Sequence, residues 1–206
     1  MITIVDYNAG NIRSVQRACD EVGVESQITQ DPETVIKSER VIFPGVGAAA
    51  SAMETIRRTG LDEALRETVK KGIPVLGICI GAQIILDRSE ESETECLGII
   101  PGTTMRFRLQ DPALKVPHMG WNGVTITQPH PLLEGIKNGD EFYFVHSYYP
   151  NPSNISNIFA TADYEKPFCC ALGKDNLFAT QFHPEKSGRF GLRFLERFSK
   201  WDGSLI

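Results

Sequence analysis

Long apolar runs are missing from this chain. The longest mostly apolar stretch, residues 73–86, is broken by Pro74, Gly77, Gly81 and Gln83, and it is too short to cross a bilayer as a helix. A membrane partner is therefore not expected. A basic excess is missing as well. The formal net charge is −5, which argues against a nucleic acid or an anionic surface, because either would favour a basic face. Regularly spaced cysteines are absent too. The five present are an odd number without metal-ligand spacing, so thiols in a reducing, cytoplasmic setting are expected rather than a disulfide frame or a metal centre. No cleavable leader is evident: Asp6 interrupts the first apolar run, MITIV, and neither a basic start nor a small-residue cleavage site surrounds it. Internal repeats, low-complexity tracts and long linkers are also lacking. At 206 residues the expectation is one domain over residues 1–206, long enough to bury a sizeable core.

What is present alternates. MITIVDY is strand-like, and NIRSVQRACDEVG carries Ile12, Val15, Cys19 and Val22 at helical spacing before Gly23. VESQIT reads as a strand, PETVIKS as a short helix, RVIFPG as a buried strand, residues 48–71 as helical, IPVLGI as another buried strand and GAQIILDRS as a helix. Apolar strands alternating with helices predict a parallel sheet covered on both faces. In the second half GVTIT, EFYFVHS, NIFATADY, PFCCALG and NLFATQF are strand-like runs separated by turn residues, which predicts an antiparallel extension. SGRFGLRFLERFSKW reads as a closing helix with Ser187 as a candidate cap and Phe190, Phe194, Phe198 and Trp201 as a core stripe. The expected class is α/β.

GIPVLGICIGAQIIL raises the chemical question. Cys79 sits at the carboxyl end of a strand candidate, flanked by Gly77 and Gly81 at the spacing of a nucleophile elbow. The following helix would aim its N-terminal amides at the sulfur, and the Ile80 amide would form half of an oxyanion hole. A buried core cysteine fits the stretch equally well. A nucleophile needs a base, and FATQFHPEKSG offers one. Pro184 biases His183 toward an extended backbone, in which His183 and Glu185 project to the same side. Cysteine, histidine and carboxylate then make an activated nucleophile whose base is oriented by a third group. PGVG at residues 44–47 lacks the lysine and spacing of a phosphate loop. It reads either as an ordinary turn or as the source of a second oxyanion donor.

Taken together, GICIGAQ, QFHPEKS and PGVG resemble the class I (triad) glutamine amidotransferases. DYNAGNIRSV, VPHMGWN at residues 116–122 and YFVHSYY at residues 143–149 narrow the resemblance to the glutaminase subunits of imidazole glycerol phosphate synthases, over residues 2 to about 200. The resemblance implies a flavodoxin-like doubly wound, mainly parallel sheet. It also implies hydrolysis of L-glutamine through a thioester on Cys79, with His183 as base and acid and Glu185 orienting it. Val46, Gly47 and Ile80 would form the oxyanion site, and Gly47, Gln83, Ser147 and Tyr148 would hold the substrate. No metal and no cofactor are implied. Ammonia would pass to a (β/α)₈-barrel cyclase subunit in a heterodimer, with Asn11, His118, Met119, Trp121, Asn122 and Lys186 at the interface.

On residue type alone Asn11 reads as a cap and Lys186 as a solvated charge. Trp121 fits either an interface or its own core. Tyr143 and His146 differ in parity and so face opposite sides of a strand. Ala82 departs from the family pattern and would shorten a side chain beside the pocket, while Asn8 occupies a position suited to positive φ. Cys19, Cys96, Cys169 and Cys170 read as packing residues.

Overall fold

The computed structural model describes every residue except Ala9, within the DYNAGNIRSV stretch, and Ile206. The first half runs β1 (Ile2–Val5), α1 (Ile12–Glu21), β2 (Ser26–Thr29), α2 (Pro32–Ile36), β3 (Val41–Gly45), α3 (Ala49–Thr59), α4 (Leu61–Lys70), β4 (Val75–Cys79) and α5 (Ile80–Ile84). The second half adds β5 (Arg88–Ser89), β6 (Thr94–Glu95), β7 (Gly102–Arg106), β8 (His118–Ile126), β9 (Glu141–His146) and β10 (Tyr148–Pro152). It closes with β11 (Ile158–Tyr164), β12 (Lys166–Lys174), β13 (Leu177–Thr180) and α6 (Gly188–Lys200).

Nine strands form one sheet in the order β2-β1-β3-β4-β13-β12-β11-β8-β9. The pairs from β2 to β13 are parallel and those from β13 to β9 antiparallel, as the change of pattern between the two halves predicts. Alternation along the central strands feeds two cores. Ile42, Leu76 and Ile78 pack with Val15, Cys19, Phe194 and Phe198 of α1 and α6. Val41, Phe43 and Val75 pack on the other face with Val35, Met53, Ile56 and Leu65 of α2, α3 and α4. Helices therefore cover both faces. No helix among the described residues is long and apolar enough to cross a membrane.

A second sheet, β10-β7-β5-β6, is not foreshadowed by the sequence pattern. Its strands are short or carry Pro150 and Pro152, and proline reads against a ladder. The expected GAQIILDRS helix ends at Ile84. The carbonyls of Ile84, Ile85 and Leu86 accept from the amides of residues 97–100 instead of continuing the helix. Ser187 does not cap α6 with its side chain. Its hydroxyl donates to the His183 carbonyl at 2.6 Å and accepts from the Tyr143 amide at 3.0 Å, tying the His183 segment to β9.

Candidate active site

Three neighbouring parallel strands end together. Gly45 on β3 lies level with Cys79 on β4, and Thr180 on β13 with Ile78, so the chain leaving β13 passes Cys79 directly. Residues far apart in sequence thus meet at the carboxyl ends of the strands, where open α/β sheets gather reactive groups.

Cys79 is held at φ 55°, ψ −103°, a conformation that strains a residue with a Cβ. Crowding behind it explains the flanking glycines. A Cβ on Gly81 would sit 2.1 Å from the Phe43 carbonyl oxygen, and one on Gly77 would sit 3.1 Å from the Gly81 carbonyl. Strand and helix can meet this closely only without those atoms. Cys79 is buried yet lines a cavity of about 340 Å³ together with Val46, Gly47, Ile80, Gln83 and Glu91. The backbone of Gly47 has φ +103°, a region open to glycine and little else.

His183 Nδ1 donates to Glu185 Oε1 at 2.7 Å. The local reason differs from the sequence expectation. Residues 184–186 form a 3₁₀ turn rather than an extended run, and the turn folds Glu185 back against the ring. His183 Nε2 makes no other hydrogen bond and is left for the cysteine. Burial pushes the imidazole pKa down, but the nearby Cys79 sulfur, joined by the Glu185 carboxylate, outweighs it and raises the value to about 10. The imidazole lies between sulfur and carboxylate, where it can take up the thiol proton.

Asn11 does not cap α1 with its side chain; Nδ2 donates to Glu185 Oε1 at 2.6 Å. Gln83 lines the cavity, and its Nε2 donates to the Tyr148 carbonyl and to Gln181 Oε1, both at 3.0 Å. Ser147 and Tyr148 line the same cavity. Ala82 does not; it is fully buried in the core beneath α3 and α4, so its small side chain leaves the cavity wall untouched. Asn8 has φ 64°, as its residue type suits. Cys19, Cys96, Cys169 and Cys170 are buried and free, as packing residues should be.

The VPHMGWN segment is largely strand β8, and its register with β9 sorts its residues. His118 pairs with His146 and Trp121 with Tyr143. Met119 and Trp121 point outward, 64% and 53% exposed. His118, expected at an interface, is a correction: it is 4% exposed and turned inward by strand alternation. Asn122 is half-buried, giving its Nδ2 to the Asp163 carbonyl at 2.8 Å. Tyr143 and His146 do face opposite sides. His146 lines the cavity, while the Tyr143 ring lies 6.0 Å from Trp121 and 5.9 Å from the Lys186 ammonium. Lys186 is exposed.

Two residues were not legible beforehand. Gln181, fully buried, donates Nε2 to the Cys79 sulfur at 3.6 Å; its place two residues before His183 was the available signal. Glu91 brings a carboxylate to the cavity wall and accepts from the Ala49 amide at 2.6 Å. It lies in an irregular acidic run, ESETE, which carries no pattern.

The chain is similar to known proteins along nearly its whole length. Residues 3–200 match the family described as glutamine amidotransferase class-I. Curated relatives named "Imidazole glycerol phosphate synthase subunit HisH" include one from Nitratidesulfovibrio vulgaris, 51% identical and covering 98% of this chain and 96% of its own. One from Dehalococcoides mccartyi is 48% identical, covering 97% of each chain, and one from Chromobacterium violaceum is 46% identical, covering 99% of each. A crystal structure of a glutamine amidotransferase superposes with TM-score 0.75 at 18% identity, over 96% of this chain and 99% of that one. With the family match spanning nearly the whole sequence and relatives near half identical throughout, the chain belongs to the class-I glutamine amidotransferases.

Proposed function

We propose that this chain is the glutaminase subunit of an imidazole glycerol phosphate synthase in histidine biosynthesis, acting as one domain over residues 1–206. Near 50% identity to curated subunits of that synthase along the whole chain carries the reading, and the assembled Cys79, His183 and Glu185 give it chemistry. Glutamine enters the cavity with its carboxamide at Cys79. Glu91, the charged side chain in the cavity wall, faces the substrate's α-ammonium, and Gln83, Ser147 and Tyr148 hold the rest.

The Cys79 sulfur adds to the carboxamide carbon. The oxyanion is held by the Ile80 amide and an amide from Val46 or Gly47. His183 Nε2 gives its proton to the departing nitrogen, ammonia leaves, and a thioester remains. Water then attacks the thioester as His183 takes back a proton, releasing glutamate and the free sulfur. Glu185 holds the ring throughout. No cofactor enters this scheme.

Ammonia passes to a (β/α)₈-barrel cyclase subunit in a cytoplasmic heterodimer. That partner uses it to form imidazole glycerol phosphate and an aminoimidazole carboxamide ribotide. The exposed Met119 and Trp121, with Lys186 beside them, form the docking face next to the active site. Aromatic and methionine side chains of this kind are enriched where proteins meet.

Glutamine hydrolysis by the purified chain, alone and with a histidine-pathway barrel plus its ribotide ligand, tests the reading. Strong activation only with the loaded partner is the expected result. High activity without it would mark a free-standing hydrolase, and silence under both conditions a scaffold. Activation by a different barrel alone would mark a paralogue. Complementation of a strain lacking the histidine-pathway subunit checks partner and pathway together.

A further inference from the structure

Three buried imidazoles lie outside the triad, and two of them, His118 and His146, touch each other. His118 and His146 are cross-strand partners on the inner face of β8 and β9, 4% and 5% exposed. His118 Nδ1 is 3.0 Å from His146 Nε2, and His146 Nδ1 is 2.7 Å from the Tyr148 carbonyl oxygen. His118 Nε2 lies 3.3 Å from the Asn122 amide nitrogen.

Both ends of this chain fix the same tautomers. A carbonyl only accepts, so His146 carries its proton on Nδ1 and its Nε2 accepts from His118 Nδ1. From the other end, Asn122 Nδ2 donates to the Asp163 carbonyl, which identifies it as the amide nitrogen, so His118 Nε2 accepts and His118 Nδ1 again carries the proton. Every donor points the same way, from β8 toward Tyr148. The chain does not stop there. The Tyr148 carbonyl also accepts from Gln83, Gln83 donates to Gln181, and Gln181 donates to the Cys79 sulfur. Asn122, next to the exposed Trp121, is thus joined to the nucleophile by side-chain and carbonyl contacts alone.

We propose that His118 and His146 are positioning residues that hold the Tyr148 carbonyl, and through it Gln83 and Gln181, in register with the docking strand β8. The proposal rests on the glutaminase reading given above. The surroundings favour it over simple packing. Phe107, Phe144 and Phe168 surround the two rings, a setting better suited to apolar side chains, because a buried polar group is costly unless paired. All four ring nitrogens are paired, which makes the unit rigid and directional. Burial holds the pKa of His118 down to about 4 and that of His146 to about 3, so the tautomers persist at neutral pH.

Two measurements test it. Nitrogen-15 chemical shifts of the histidine rings in the intact chain should show both His118 and His146 protonated on Nδ1. Protonation of either ring on Nε2 instead would overturn the directional chain. Glutamine kinetics at saturating barrel partner, on folded variants, give the second test. His118→Phe keeps the ring but loses the donor and should raise KM for glutamine about tenfold, the effect of one lost buried hydrogen bond. His118→Asn restores a donor near the Nδ1 position and should recover most of that loss. Unchanged KM in the phenylalanine variant, or equal damage in both, would reduce the pair to packing. Wild-type chain that the barrel fails to stimulate would instead refute the glutaminase-subunit reading, and the ring shifts would still decide the tautomer chain.

Discussion

Asn11 and His183 donate to the same oxygen of Glu185, from 2.6 and 2.7 Å. The carboxylate's other oxygen is buried without a partner, so its orientation depends on these two donors. Asn11→Ala removes one and leaves His183 bound to a carboxylate free to rotate. Hydrogen bonds to charged groups contribute about 1.5–3 kcal/mol, so kcat for glutamine should fall roughly tenfold to a hundredfold, with KM much less affected. Steady-state kinetics at saturating partner measure this split.

Cys79→Ala should abolish glutamine-dependent synthesis by the assembled enzyme and leave synthesis from added ammonium salts intact. The alanine chain keeps the fold but offers no sulfur for the thioester. Parallel assays with the two nitrogen sources check it; loss of both activities would contradict the division of labour between subunits.

Trp121→Ala should weaken association with the proposed barrel partner or that partner's activation of glutamine hydrolysis. The ring is half exposed and leans on Tyr143 rather than on the core, so its removal should leave thermal stability within about 1 kcal/mol. Titration calorimetry together with a melting curve separates the two effects.

Gly81→Ala should destabilise the protein. The new Cβ would meet the Phe43 carbonyl oxygen at 2.1 Å, and neither backbone can retreat inside the central sheet. Overpacking of this kind costs on the order of 3 kcal/mol. Urea unfolding of the variant should show a lower midpoint at unchanged slope.

Stability should be greatest near pH 6.5 so far as the histidines decide it. Burial lowers the pKa of His118 and His130 to about 4 and of His146 to about 3. Below 6.5 the unfolded chain takes up protons that the native rings refuse, so stability falls as pH drops from about 6.5 toward 4. Each ring contributes at most about 1.4 kcal/mol per pH unit. His183 acts in the opposite sense, its pKa being raised to about 10. Its contribution is fully present below about 6.5 and is lost as pH rises through 10. Urea midpoints from pH 4 to pH 10 measure both limbs, and His183→Leu should flatten the alkaline one.

The parallel half of the sheet is legible in the sequence because buried parallel strands are apolar on both faces, as VIF and VLGI are. Cys79 and His183 are legible because the elbow and the strand-end histidine are local patterns. The second sheet is not, since its short strands and prolines give no period to read. Nor is the inward turn of His118, which is fixed by the register of β8 against β9, a fact about two segments that neither contains. The Asn11 contact hides for the same reason: its partner lies 174 residues away.

The place of β13 has a consequence for synthesis. This strand fills the gap between β4 and β12, and the chain that leaves it carries His183. A chain still growing on the ribosome can form β1 to β4 and the strained turn at Cys79, but its two half-sheets stay apart until residue 180 has emerged. Closure of such long-range pairings comes late in folding. The Cys79 sulfur is therefore without the His183 imidazole until residue 183 has been made, more than a hundred residues after the sulfur itself.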